Sequence, residues 1–413
     1  MKSLYANGIN ISKSFEILKN NPNCEVKGMK YEVHIPSILH IGGGSRKDIG
    51  ALAAKFGMKS ILLVSDKFLE GTGRTKEILD LLSDSGAKTA LFTDISGEPD
   101  IDTVTKALMI LEKNHCDGII SVGGGSSIDT AKALSVLAAN GGKMSDYMGI
   151  GKVSKPGLPH IAIPTTAGTG SEVTRVTIIT DNEKNVKMMC LDNAFLPVAA
   201  IVDYEVSMSM PKNLTSFVGI DALTHAVEAY VSKKANTLSD IFAEKAIKLI
   251  GQHLLNVYHH PDDQAGRAAM MEGATYAGIA FSNASVCAVH GMSRPIGAYF
   301  HVPHGHSNAM LLPIVTEQSI AGNQARYAEI ARFLNLEGQN EVELTSALVK
   351  KLKEFNKLMS IPNPAEFGID KERYLSLRES MAEAAIDSGS PANNPRVFTK
   401  EEIMDIYSRV YNE

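Results

Sequence analysis

The sequence predicts an α/β domain built on a parallel sheet, followed by an all-helical domain. Three observations carry that prediction. Between Tyr31 and Asp203, short β-branched and apolar runs alternate with helical stretches. Two of those runs end in glycine-rich turns, at Gly123 and at Gly168. After Met210-Pro211 the strand signals almost vanish, and apolar residues recur at helical spacing to the end of the chain. The expected division is residues 1–29, an N-terminal extension of mixed polar character; residues 30–205, the α/β domain; and residues 206–413, the helical domain.

Taken in order, YEVHIPSILHIGGG reads as short strands ending in glycines, and DIGALAAKFG as a helix stopped by Gly57. KSILLVSDKF is a buried strand that stops at Asp66, and TKEILDLLSDSG a helix stopped by Gly86. TALFTDIS and TVTKALMILEKNH repeat the strand and helix, and GIISVGGGSSIDTAKALSVLAANGG is strand, glycine turn and helix. HIAIPTTAGTGSEVTRVTIITD surrounds the second turn with apolar, threonine-rich runs, and VKMMCLDNAFLPVAAIVD adds one more strand. In the helical half, GRAAMMEGATYAGIAFSNASVCAVHGM reads as one long helical segment ending near His290, and Pro295 and Gly297 as part of a following loop.

Composition narrows the function classes. A chain of 413 residues with 44% hydrophobic and 21% charged residues is long enough for two or three cores. A net charge of -5 without a long like-charge block offers no electrostatic footprint for nucleic acid or a membrane surface. The four cysteines, Cys24, Cys116, Cys190 and Cys287, are scattered without a CxxC pair, which suits a reducing compartment. No signal-peptide core and no uninterrupted apolar run of about 18 residues is present. The expected location is the cytoplasm.

The glycine turns suggest a nucleotide. Gly123, Gly124, Gly125 and Ser126 lie between a strand and a helix, where bare backbone and free helix-start N–H groups favour an anion such as pyrophosphate, or simply allow tight packing. The pattern is not the GxGxxG of an ordinary Rossmann turn. Asp66 ends a strand, as does a carboxylate that accepts from an adenosine ribose, and its charge would repel a 2′-phosphate, favouring NAD over NADP; it could equally cap the next turn. Thr165, Thr166, Gly168, Thr169 and Gly170 could line a phosphate or nicotinamide site, or form a capped turn.

The stretch from Gly219 to His306 suggests a metal. Asp221 and His225 stand at i, i+4 on one helical face, and His290, His301, His304 and His306 follow. Three imidazoles and one carboxylate suit Fe(II), Zn(II), Co(II) or Mn(II), with a position left for a substrate oxygen.

GGGSSIDTAKA, PTTAGTGSEVT, GIDALTHAVEAYV and HGMSRPIGAYFHVPHGHSNAMLLP, in that order, resemble the iron-dependent (group III) alcohol dehydrogenase family, which is related in fold to dehydroquinate synthase and glycerol dehydrogenase. The likeness runs from about Tyr31 to the end and includes NNPRVFTKEEI. It implies a dinucleotide-binding domain, a helical metal domain and a cleft between them, and at least a homodimer. It implies Asp221, His225, His290 and His304 as ligands of Fe2+, with Zn2+ or another divalent metal as the alternative. The cofactor NAD would lie on Asp66, Gly124, Gly125, Ser126, Asp129, Thr165, Thr166, Thr169 and Thr174, with Lys187 near the nicotinamide ribose.

Two departures stand out. Many members carry a histidine four residues after the third ligand, credited with proton relay; here it is Arg294, and His301 is the candidate replacement. GEPDID places Glu98 where many members have an asparagine. The function implied is NAD(H)-linked oxidation of small primary alcohols or diols, or reduction of the aldehydes, by hydride transfer. The alternatives are a hydroxyacid dehydrogenase of the 4-hydroxybutyrate type, motivated by Arg294; a lyase of the dehydroquinate synthase type; and a non-enzymatic metal-bound structural or sensor protein.

Overall fold

The computed structural model describes residues 30–412 apart from residue 185, and from His34 onward the described residues pack as one compact unit. The N-terminal extension expected at residues 1–29 lies outside the described residues. The strands are β1 (Ile38–Ile41), β2 (Ser60–Val64), β3 (Lys88–Phe92), β4 (Gly118–Gly123), β5 (Gly149–Ile150), β6 (His160–Pro164), β7 (Val176–Asp181), β8 (Val186–Leu191) and β9 (Ala199–Val202). Six of them form an all-parallel sheet in the order β1-β9-β6-β4-β2-β3. Between them run the helices α1 (Ile49–Lys55), α2 (Lys67–Gly71), α3 (Arg74–Asp84), α4 (Ile101–Lys113) and α5 (Gly125–Asn140).

The sheet is parallel because its strands are apolar on both faces. β4 and β6 are buried at every residue, and β2 at all but its first. One core, containing Leu62, Ile119 and Leu134, and another, containing Ile61, Ile120 and Ile163, hold the two faces. Each such side chain contributes about 1.5–3 kcal/mol on burial.

The run from Val186 to Val202 holds two strands rather than one. Asp192 accepts a hydrogen bond from Ala194 N at 3.0 Å and caps a short turn, which ends β8 before β9 begins. β8 then pairs antiparallel with β7, and with β5 they make a separate three-stranded sheet.

The second half is helical: α6 (Lys212–Val231), α7 (Thr237–His259), α8 (Gln264–Ala284), α9 (Ala288–Phe300), α10 (His304–Ser319), α11 (Gln324–Phe333), α12 (Glu341–Leu358), α13 (Lys371–Ser376), α14 (Arg378–Asp387) and α15 (Lys400–Asn412). α6 is the axis of this half, since every residue from Gly219 to Val231 is buried. A helix buried all round is normally apolar all round. Asp221, His225 and Glu228 within it are therefore the exceptions that need a purpose.

The segment around His290 differs from the sequence reading. The chain breaks at Ser285, which has φ 72, so His290 lies in the first turn of α9 rather than at the end of α8. Pro295 and Gly297 lie inside α9, and the reversal is made after it, at His301 with φ 55 and Pro303. A serine at positive φ with extended ψ costs roughly 1–3 kcal/mol and carries no sequence marker of the kind that glycine provides.

Candidate functional site

The carboxyl ends of β2, β4 and β6 lie side by side, with Val64 paired to Ser121 and Gly123 to Pro164. That register brings Asp66 and both glycine turns to one edge of the sheet, where open α/β sheets collect their ligands. A Cβ at Gly124 would lie 3.5 Å from the Thr166 side chain, and one at Gly125 only 3.1 Å from that of Thr169, so the two turns face each other closely. Asp66 caps the next helix and also stands beside the first glycine turn. Its Oδ1 accepts from Leu69 N at 2.9 Å and caps α2, while its Oδ2 lies 3.8 Å from the position of a Cβ at Gly123.

Asp129 and Thr174 sit beneath the turns. Asp129 accepts from Ser171 Oγ at 2.6 Å and from Ile178 N at 2.9 Å. Thr174 Oγ1 accepts from Lys132 Nζ at 2.8 Å, and that fully buried amine also donates to Ser171 Oγ and to Val176 O. Desolvation pulls the Lys132 pKa down to about 8. These contacts tie α5 to the second turn and to β7. Thr165 N bonds Gly123 O at 3.0 Å, while Ser126 is half-buried in the first turn of α5.

The second turn also rests on the helical half. Gly168 packs against Val218 on α6, and Gly170 meets Gly278 of α8 so closely that a Cβ on Gly278 would lie 2.8 Å from Gly170 Cα. Glu172 accepts from Thr275 Oγ1 at 2.7 Å in the same interface. The second glycine turn is thus fixed to the helix that carries Asp221 and His225.

Asp221, His225, His290 and His304 offer donor atoms that all lie within 4.8 Å of one another. Three elements bring them together. α6 presents Asp221 and His225 one turn apart. α9 starts beside α6 and aims His290 inward. Gly305 lies against α6, where a Cβ would be 2.5 Å from Phe217 O, and so seats His304 beside Asp221. The His225 ring stacks between Phe281 and His290, at 4.2 and 4.4 Å.

The donor set fits a divalent ion. Asp221 Oδ1 lies 3.5 Å from His290 Nε2 and 3.8 Å from His304 Nε2. Ligands about 2.1 Å from one tetrahedral ion stand roughly 3.4 Å apart. Asn308 Nδ2 marks the point of convergence, 2.6 Å from Asp221 Oδ1 and 3.2 Å from each of His290 Nε2 and His304 Nε2. His290 Nδ1 donates to Glu228 Oε2 at 2.7 Å, which leaves its Nε2 lone pair for the cluster.

Protonation agrees with that chemistry at Asp221, His225 and His304; at His290 desolvation works to lower the pKa, but the hydrogen bonds to Asp221 and Glu228 raise it. Burial works to raise the Asp221 pKa, but the three imidazoles overcome it and hold the carboxyl well below its usual range. Desolvation lowers His225 to about 3. Desolvation, then the charges of His290, Arg294 and Lys187, lower His304 to about 4 against the pull of Asp221. A carboxylate and neutral imidazoles are the forms that bind a metal.

The other expected site residues are more dispersed. Lys187 on β8 pairs with Glu98 at 2.6 Å, and its Nζ lies 4.0 Å from the position of a Cβ at Gly297 on α9. Arg294 is half-buried on α9, close enough to act electrostatically on His304 and Glu228. His301 is exposed at the C-terminus of α9, and its ring makes no contact with the four donors among the described residues. Reading the sequence missed Glu228, Asn308 and Lys132. Glu228, seven residues after Asp221 on the same helix, and Asn308, four after His304, carried the spacing that could have revealed them.

Comparison with known proteins bears on both halves. Residues 36–204 match the family model described as iron-containing alcohol dehydrogenase, and residues 215–411 match that of the C-terminal part of the Fe-containing alcohol dehydrogenase family. The chain is 37% identical to the NAD-dependent methanol dehydrogenase of Bacillus methanolicus, over 90% of this chain and 97% of the relative. It is 36% identical to alcohol dehydrogenase 4 of Saccharomyces cerevisiae, over 92% and 98%. Among solved structures, a 1,3-propanediol oxidoreductase superposes with a TM-score of 0.90 at 31% identity, covering 92% of this chain and 100% of that one. An alcohol dehydrogenase from Oenococcus oeni superposes with 0.89 at 33% identity and the same coverage. Matched in both halves and nearly end to end, the chain belongs to the iron-containing alcohol dehydrogenase family.

Proposed function

We propose that this protein is an NAD(H)-linked, divalent-metal-dependent alcohol dehydrogenase that interconverts small primary alcohols or diols and their aldehydes. The observation that carries this reading is the joint placement described above: four convergent metal donors on helices fixed to a turn that faces a dinucleotide-type glycine loop. Relatives named as NAD-dependent methanol dehydrogenase and 1,3-propanediol dehydrogenase support the substrate class.

Asp221, His225, His290 and His304 would hold the ion, with Fe2+ favoured by the family. Gly124, Gly125 and Ser126 would receive the pyrophosphate, and Asp66 the adenosine ribose. Thr165, Thr166 and Thr169 would line the second turn, with Asp129 and Thr174 bracing it from beneath. When bound, the ion supplies Lewis acidity toward an alcohol oxygen, and the nicotinamide supplies the hydride acceptor. The chain's own part is to hold the donors ionised and unprotonated, to fix the distance between the two sites, and to lead the alcohol proton away. His301, exposed at the end of α9, is the candidate for that last role.

In this reading residues 30–205 bind the dinucleotide and residues 206–413 the metal, and the working form is a cytoplasmic homodimer. No helix among the described residues is long and apolar enough to cross a membrane. The test is steady NADH formation from 1-propanol or 1,3-propanediol by metal-loaded protein. Failure to reduce NAD with any small alcohol would overturn the reading.

A further inference from the structure

Asn308 is fully buried on α10, one turn after His304, so both side chains leave the same face of that helix. Its Nδ2 lies 2.6 Å from Asp221 Oδ1 and 3.2 Å from each of His290 Nε2 and His304 Nε2. Contact with three donors at once puts the amide nitrogen over the triangular face that they form. His225 is not among its hydrogen-bond partners in the described residues, and that ring is held instead by stacking on Phe281.

The other end of the same amide shows that this placement has a cost. Asn308 Oδ1 is buried and meets no donor among the described residues. Buried amide oxygens are nearly always paired, and an orphan calls for a reason. Turning the amide over would set its oxygen against the Asp221 carboxylate, so the side chain is placed for what its nitrogen meets. The cluster is open elsewhere. Asp221, His225 and His290 are buried, while His304 keeps 41% of its side chain exposed. A small molecule therefore reaches the donors on the side of His304 and not through the face beneath Asn308.

We propose that Asn308 is a positioning residue of the metal centre: its amide caps the face formed by Asp221, His290 and His304, holds Asp221 toward the two imidazoles, and leaves a divalent ion open to a substrate oxygen only on the exposed side of His304. An amide NH2 group donates but has no free lone pair, so it orients the carboxylate without becoming a ligand itself. With that face closed, the coordination number is set by the one open side rather than by whatever water reaches the ion. The inference rests on the metal-site reading above and narrows it.

The test uses Co(II), which suits the same donors and whose visible d–d bands weaken as its coordination number rises. Co(II) is loaded into the wild type, Asn308→Ala and Asn308→Asp, and its affinity is measured by competition with a chelator. Asn308→Ala should bind Co(II) about 10–100-fold more weakly, with weaker d–d bands as water enters the uncovered face. Asn308→Asp keeps the shape but puts a carboxylate oxygen in place of the N–H donor. It should bind Co(II) more tightly than the wild type, again with weaker bands. NADH binding reports whether each variant is folded, and Asn308→Asp decides the matter should Asn308→Ala not be. Wild-type Co(II) affinity and bands in either variant, or a loss of Co(II) affinity in Asn308→Asp, overturns the inference while leaving the four-donor site in place. A wild type that binds no Co(II) overturns the metal-site reading as well.

Discussion

Glu228 Oε2 accepts a hydrogen bond from His290 Nδ1 at 2.7 Å, and the same carboxylate accepts from Cys287 N and Val289 N. One buried acid therefore fixes both the ring orientation of a metal donor and the start of the helix that carries it. Glu228→Gln should weaken divalent metal binding about 10–100-fold, since the amide cannot accept all three bonds with the same charge. Competition with a chelator would measure this, and wild-type affinity in the variant would refute the role.

Asp66 both caps α2 and stands beside the first glycine turn. Asp66→Ser preserves a capping oxygen and removes the charge. The kcat/KM ratio of NAD to NADP should drop at least about 10-fold, a charge effect of roughly 1.4 kcal/mol or more. Steady-state kinetics with the two coenzymes decides it, and an unmoved ratio would place the ribose elsewhere.

Gly278 has no room for a methyl group, because an added Cβ would lie 2.7 Å from Val173 Cγ2 and 2.8 Å from Gly170 O. Gly278→Ala should destabilise the protein by about 1–3 kcal/mol. It should also raise KM for NAD, since the displaced element is the second turn. Thermal melting and coenzyme titration would report the two effects, and a variant normal in both would contradict the close approach.

Burial lowers the His160 pKa to about 3, where its ring also meets Ser121 Oγ at 2.8 Å. The folded value is depressed, so below the ordinary value of 6.5 the unfolded chain binds a proton that the folded chain refuses. Stability is full above pH 6.5 and falls as the pH drops toward about 3, by on the order of 5 kcal/mol in total from this residue. Denaturant melts of the wild type and His160→Gln across that window should show a shallower acid loss in the variant. Parallel curves would argue against a buried neutral ring.

Much of this was legible in the sequence because periodicity and glycine placement are local signals. The alternation that predicts the parallel sheet, and the spacing of Asp221 from His225, depend only on which residues share a face. The break at Ser285 was not legible, because a serine at positive φ looks like any other serine. Neither was the division of 186–202 into two strands, where the deciding event is a single cap by Asp192. Glu228 and Asn308 escaped notice because each resembles an ordinary polar residue until burial and partners are known. Arg294 was visible as a departure from the family pattern.

The central claim, that Asp221, His225, His290 and His304 hold the ion on which NAD-linked alcohol oxidation depends, is tested most directly with His304→Ala. Metal content per chain and NADH formation should be measured together, before and after chelation. The account predicts stoichiometric metal and activity in the wild type, loss of both on chelation with recovery on adding the ion back, and loss of both in the variant. A His304→Ala protein that retains full activity would contradict it.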